Sequence, residues 1–161
     1  MTTEAIYRFA FLVLFVLLLA MRIYFMVKVK RSGGRIMPDE GAVKREGGRG
    51  VLLVRVIGFF ALMTFLAMYF IGAKWIDAFV FPLPAWLRWM GFVIGLLSVI
   101  FWTWTQFTLD IQWSAQLQLT KEHRLITTGP YARIRHPLYA GMFGWAVALA
   151  LLTANWIFIA V

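Results

Sequence analysis

The sequence predicts an all-α, polytopic membrane protein with about four transmembrane helices and an interfacial segment late in the chain. Three observations predict it. Of 161 residues, 62% are hydrophobic and only 14% are charged, whereas soluble domains carry roughly 25% charged residues. The apolar residues fall in runs close to the roughly 20 residues that cross a hydrocarbon core. The polar residues gather mainly in two intervals, 28–50 and 110–136, and both are basic. At this length the chain is one membrane domain, 1–161.

The first span is expected at about 5–27. Its apolar run FAFLVLFVLLLAM, Phe9 to Met21, lies between Arg8 and Arg22 and is continued by IYFMV to Val27. Arg22 is close enough to the end to snorkel to the headgroups. No small-x-small cleavage site follows, and the next residues are basic, so the run reads as a helix and not as a cleaved signal peptide. Residues 28–50 form a loop punctuated by Gly pairs and Pro38, with seven basic residues (Lys28, Lys30, Arg31, Arg35, Lys44, Arg45, Arg49) against Asp39, Glu40 and Glu46. It contains neither GxxxxGK[ST] nor GxGxxG, so its glycines read as linker and not as a phosphate cradle.

The second span is expected at about 52–73. After it, KWIDAFVFPLPAW makes a short turn with Pro82 and Pro84, bracketed by Trp75 and Trp86 as belt aromatics. The third span, about 86–109, carries FWTWTQF near its end. There Thr103, Thr105 and Gln106 suit either a cavity lining or hydrogen bonds between helices. A fourth apolar run covers about 138–161 and closes in NWIFIAV with neither charge nor polar cap. The expectation from that ending is a native protein that continues past Val161.

The net charge of +9 lies between apolar runs, where it marks cytoplasmic loops and contact with anionic membrane lipids, and not a nucleic-acid surface. The absence of cysteine excludes disulfides, thiolate catalysis and cysteine metal sites. Two histidines thirteen residues apart make a poor ligand set, so no metal is expected. Loop 28–50 and segment 110–136, with Lys121, Arg124, Arg133 and Arg135, outweigh the 74–85 turn, which has only Lys74. The positive-inside rule therefore puts both intervals in the cytoplasm and the N-terminus outside. Polar span centres and internal repeats of the kind transporters show are lacking.

The chemistry concentrates in residues 116–141, QLQLTKEHRLITTGPYARIRHPLYAG, which hold both histidines, His123 and His136. Thr127-Thr128-Gly129-Pro130 reads as a turn that exposes backbone polar groups. Arg133, Arg135 and His136 precede Pro137, which suits the first position of the fourth helix. Cations at a helix N-terminus suit an anionic or zwitterionic ligand such as a carboxylate. Tyr139 and Gly141 fall in the first helical turns, the glycine allowing close backbone approach.

HRLITTGPYARIRHPLYAG resembles the signature of the isoprenylcysteine carboxyl methyltransferase family and its phospholipid methyltransferase relatives. The resemblance covers roughly Thr105 to Asn155. It implies a membrane methyltransferase that uses S-adenosyl-L-methionine and a lipophilic methyl acceptor, an isoprenylcysteine carboxylate or a lipid, at the cytoplasmic face. Carried over residue by residue, it implies cofactor contacts at Gln116, at His123, Arg124, Leu125 and Ile126, at Tyr131, and at His136, Pro137, Leu138 and Tyr139. In the family a further helix with an Arg-x-x-x-Glu-Glu type motif follows, and this sequence has no match for it. That departure leaves the catalytic residues unassigned. It also motivates a second reading, a non-catalytic membrane subunit or scaffold of a larger membrane complex.

Overall fold

The computed structural model describes residues 3–31, 48–109 and 128–160. Helix α1 spans Thr3–Arg31, α2 Gly48–Ile71, α3 Lys74–Asp77 and α4 Ala85–Leu109. A 3₁₀ turn at Gly129–Ala132 leads into α5, Pro137–Thr153, and α6, Trp156–Ala160. Three of these helices, Thr3–Arg31, Gly50–Ile71 and Ala85–Leu109, are long and apolar enough to cross a membrane, and Pro137–Thr153 is a shorter apolar helix. The chain is an integral membrane protein with an all-α fold.

The apolar run expected at about 138–161 is not one helix. Helix α5 has 17 residues, about 25 Å at 1.5 Å per residue, and stops at Ala154, whose φ of 47° is left-handed. Asn155 supplies the reason. Its side-chain oxygen accepts from Ile157 N–H at 3.0 Å and starts α6, while its amide donates to Ile76 O at 2.9 Å. An asparagine whose side chain competes for local backbone groups favours a cap over a helix interior. Phe81 N–H donates to Ala154 O at 2.8 Å and Trp156 N–H to Phe79 O at 3.1 Å, which ties the break to the chain after α3.

The end of α2 follows a simpler rule. Gly72 takes φ 80°, its N–H donates to Tyr69 O, and Ala73 N–H donates to Met68 O. This is the Schellman pattern that glycine permits.

Helices α4 and α5 pack antiparallel along a seam of small residues. A Cβ placed on Gly91 would come within 2.8 Å of the Leu152 backbone nitrogen. Further along, Gly95 faces Ala148, Gly144 faces Ser98, and Gly141 faces Trp102. Between helices in lipid, close backbone approach through small residues replaces the hydrophobic drive that operates in water. Tyr7, Phe11 and Leu14 of α1 close over this pair with Leu66 and Tyr69 of α2, Ile76 of α3 and Leu152 of α5. Aromatic contacts reinforce the cluster: the Phe11 and Phe70 rings stack at 5.2 Å, and Tyr69 meets Phe158 edge-on at 5.0 Å.

A polar clasp locks this end. The guanidinium of Arg88 is buried and donates to Glu4 at 2.5 and 2.9 Å and to Leu152 O at 3.1 Å, with its face 3.6 Å from the Tyr7 ring centroid. Arg8 pairs with Asp77 beside it. The start of α1, the α3 turn and the start of α4 therefore share one end of the bundle. The end of α1 meets the end of α4 at the other, where Phe25 and Phe107 lie 4.9 Å apart.

Candidate functional site

The second end carries the motif. Gly129 adopts φ 59°, and a Cβ there would lie 2.8 Å from Thr108 Oγ1. Both the left-handed backbone and the closeness of α4 demand glycine at this position. Pro130 is buried, and its carbonyl accepts from Arg133 and Ile134 N–H at 3.3 and 3.0 Å. The turn that the Thr-Gly-Pro sequence leads one to expect is present, and Gly129 sets it against the last turn of α4 at Thr108. Tyr131, inside the turn, is half-buried, and loss of solvent raises its phenol pKa above the ordinary value. The group stays neutral and able to donate a hydrogen bond.

Pro137 opens α5 at its first position, and His136 is the residue before it. The His136 side chain does not cap the helix. The first-turn N–H groups of Leu138 and Tyr139 have no partner within a helix by geometry, and among the described residues no side chain is seen to cap them. Arg133, Arg135 and His136 are exposed around this opening. Tyr139 is 68% exposed, and its ring meets His136 at 5.8 Å and 62°. Leu138 is half-buried and Pro137 fully buried, so these two anchor the helix start while His136 and Tyr139 face outward.

The structure thus brings Tyr131, His136, Pro137, Leu138 and Tyr139 to one place. Gln116, His123, Arg124, Leu125 and Ile126 lie outside the described residues. Of the polar residues on α4, the threonines turn inward on their own helix: Thr103, Thr105 and Thr108 donate to Val99 O, Phe101 O and Trp104 O at 2.7–3.0 Å. Gln106 does not. Its side-chain oxygen and the Trp102 indole nitrogen are buried without a hydrogen-bond partner. The sequence left Gln106 between a cavity lining and a hydrogen bond between helices, and it gave Trp102 no role, because an indole in an apolar helix looks like ordinary packing.

Between α1 and α4, on this same half of the bundle, lies an apolar groove of about 530 Å³. Leu17, Met21, Tyr24, Val99, Ile100 and Phe107 line it, and Lys28 Nζ stands 5.9 Å from the Phe107 ring centroid at its end. Anion-seeking groups at a helix start suit a small polar molecule, and an apolar groove on the same half of the bundle suits an apolar chain.

Comparison with known proteins gives two findings. Residues 89–161, a little under half of the chain, match the model of the isoprenylcysteine carboxyl methyltransferase (ICMT) family. Over 37 residues the chain is 46% identical to a protein of Schizosaccharomyces pombe named Protein-S-isoprenylcysteine O-methyltransferase. That alignment covers 23% of this chain and 16% of the relative's length.

Proposed function

We propose that this chain, whose residues 89–161 match the isoprenylcysteine carboxyl methyltransferase family model, transfers a methyl group from S-adenosyl-L-methionine to a lipophilic acceptor at the cytoplasmic face of a membrane. The observation that carries the reading is the uncapped start of α5, with His136, Arg133 and Arg135 exposed around it.

The residues fit such a cofactor. Free N–H groups at the α5 N-terminus, helped by the dipole and the nearby cations, suit the carboxylate of its amino-acid end. The Tyr139 and Tyr131 rings suit a sulfonium, for which cation–π attraction contributes about 0.5–2 kcal/mol. The bound cofactor supplies a methyl group already activated by the sulfonium charge.

What the chain's own residues contribute is mainly positioning and a pre-arranged electrostatic environment. The α1–α4 groove suits an apolar tail and would hold the acceptor's head near the α5 start. A carboxylate acceptor is already deprotonated at neutral pH and needs no general base, whereas an amine would. No residue is assigned as a general base, which suits a carboxylate acceptor or a base on a further segment. The basic loops support a cytoplasmic location for this end.

Calorimetric titration of the detergent-solubilised protein with S-adenosylhomocysteine tests the reading. The expected result is saturable binding that weakens in His136→Ala. No binding by the unmodified protein refutes it.

A further inference from the structure

Near the motif end, a single turn of α4 presents an unsatisfied donor and an unsatisfied acceptor. The Trp102 indole N–H and the Gln106 amide oxygen are both buried without a partner, and Gln106 is only 1% exposed. Spaced i and i+4, they lie on the same helix face. The start of α5 packs against that face: a Cβ on Gly141 would lie 3.5 Å from Trp102 Cβ, and Gly129 closes on Thr108. The threonine hydroxyls of the same stretch are all satisfied within the helix. Leaving a buried polar group unpaired costs about 1–3 kcal/mol, and within a membrane protein water is a poor substitute partner. Among the described residues Arg8 Nε and Tyr69 OH are also buried without partners, but they lie at the clasp end, whereas Trp102 and Gln106 share one face of α4 beside the α5 start.

We propose that Trp102 and Gln106 bind the amino-acid end of the cofactor assigned to the α5 start, the indole N–H donating to a carboxylate oxygen and the Gln106 oxygen accepting from the adjacent ammonium. The inference rests on the methyl-donor reading above. An α-amino carboxylate carries an acceptor and a donor on one carbon, which matches a donor and an acceptor one helical turn apart. Its negative group also falls to the free N–H groups and cations at the α5 start. Its ammonium, which Arg133 and Arg135 repel, finds a neutral acceptor in Gln106. Both side chains act as binding residues and neither takes part in the bond changes.

The test compares two ligands on the detergent-solubilised full-length protein. S-adenosylhomocysteine has the amino-acid end, and 5′-methylthioadenosine lacks it. Trp102→Phe and Gln106→Leu are expected to weaken S-adenosylhomocysteine about tenfold or more, the size of a lost hydrogen bond to a charged group. Both should leave methylthioadenosine affinity unchanged. Gln106→Glu, which keeps an acceptor for an ammonium, is expected to retain S-adenosylhomocysteine binding. Equal affinity of the variants and the unmodified protein for S-adenosylhomocysteine overturns the inference, and so does a parallel loss of both ligands, which would indicate contact with adenine or general disruption. If the unmodified protein binds neither ligand, the methyl-donor reading itself falls and takes this inference with it. Selective loss on the variants upholds both.

Discussion

Replacing Arg88 by methionine removes the guanidinium that joins α1, α4 and α5 while keeping an unbranched apolar stem. Arg88 makes three well-formed hydrogen bonds, two to Glu4 and one to Leu152 O, and a longer one of 3.4 Å to Thr153 O. Interhelical hydrogen bonds in membrane proteins average about 0.6 kcal/mol, so the three contribute about 2 kcal/mol. The stacked Tyr7 ring adds about 1 kcal/mol as a cation–π contact. Breaking a buried ion pair costs about 3–5 kcal/mol when the abandoned partner stays buried. The Glu4 side chain is 37% exposed, so solvent screens the pair and rehydrates the freed carboxylate, which holds the figure to the lower end. The expected cost is about 3 kcal/mol.

Reversible unfolding in mixed micelles, followed by tryptophan fluorescence and extrapolated linearly in denaturant, measures this cost. Glu4→Gln alone leaves Arg88 its backbone carbonyls and the Tyr7 ring, and is expected to cost about 1 kcal/mol. In the Arg88→Met background the same change should be nearly neutral, giving a coupling of about 1 kcal/mol. A cost below about 0.5 kcal/mol for Arg88→Met, or strict additivity of the pair, refutes the argument that the clasp holds the bundle together.

Other positions test the backbone and packing arguments in the same assay. Ala154 is buried at φ 47°, a conformation that strains any residue with a Cβ, so Ala154→Gly is expected to stabilise by about 0.5–1 kcal/mol. Gly129→Ala meets both a left-handed backbone and Thr108 Oγ1 at 2.8 Å; the expected loss is about 1–3 kcal/mol, with weaker S-adenosylhomocysteine binding because the α5 start shifts. Gly91→Ala drives a Cβ into the Leu152 backbone at 2.8 Å and should cost about 1–3 kcal/mol. Gly58→Ala, with nothing within 4 Å, should instead gain up to about 1 kcal/mol from helix propensity.

The sequence made most of the helices legible because length and apolarity suffice to define a span: the third span, expected at about 86–109, is helix Ala85–Leu109. It also made the start of α5 legible, since Pro137 admits few other roles after an Arg-His step. Hydropathy could not show the break at Ala154, because Asn155 is one polar residue within an apolar run and its effect depends on carbonyls near Ile76. Nor could it show the α4–α5 seam: Gly91, Gly95 and Ser98 recur at helical spacing, but their meaning appears only when Gly144 and Ala148 face them. The Arg88 clasp was hidden for a related reason, because Glu4 and Arg88 lie 84 residues apart. Within the site, Tyr131, His136 and Tyr139 were readable from local motif chemistry. Trp102 was not, and Gln106 was legible only as a polar residue in a span, since an unpaired polar atom is a property of the packed structure.

The two ends of the α4–α5 pair are built differently, and this has a measurable consequence. At the Arg88 end a buried guanidinium finds partners on α1 and on both last carbonyls of α5. At the motif end the His136 side chain does not cap α5, and Trp102 Nε1 and Gln106 Oε1 are buried without partners, as Arg8 Nε and Tyr69 OH are at the clasp end. The clasp bonds are made within the chain, whereas on the proposed reading Trp102 and Gln106 gain their partners from a ligand. Arg88 and Gln106 are 18 residues apart on one helix, about 27 Å, well beyond the distance over which substitutions normally couple. A ligand at 100 times its Kd stabilises the folded state by about 2.7 kcal/mol. S-adenosylhomocysteine at that excess is therefore expected to raise the stability of the unmodified protein and of Arg88→Met by the same amount, to within about 0.5 kcal/mol. A markedly smaller gain in Arg88→Met would mean that the clasp shapes the ligand end through α4, and the two ends could no longer be treated as independent.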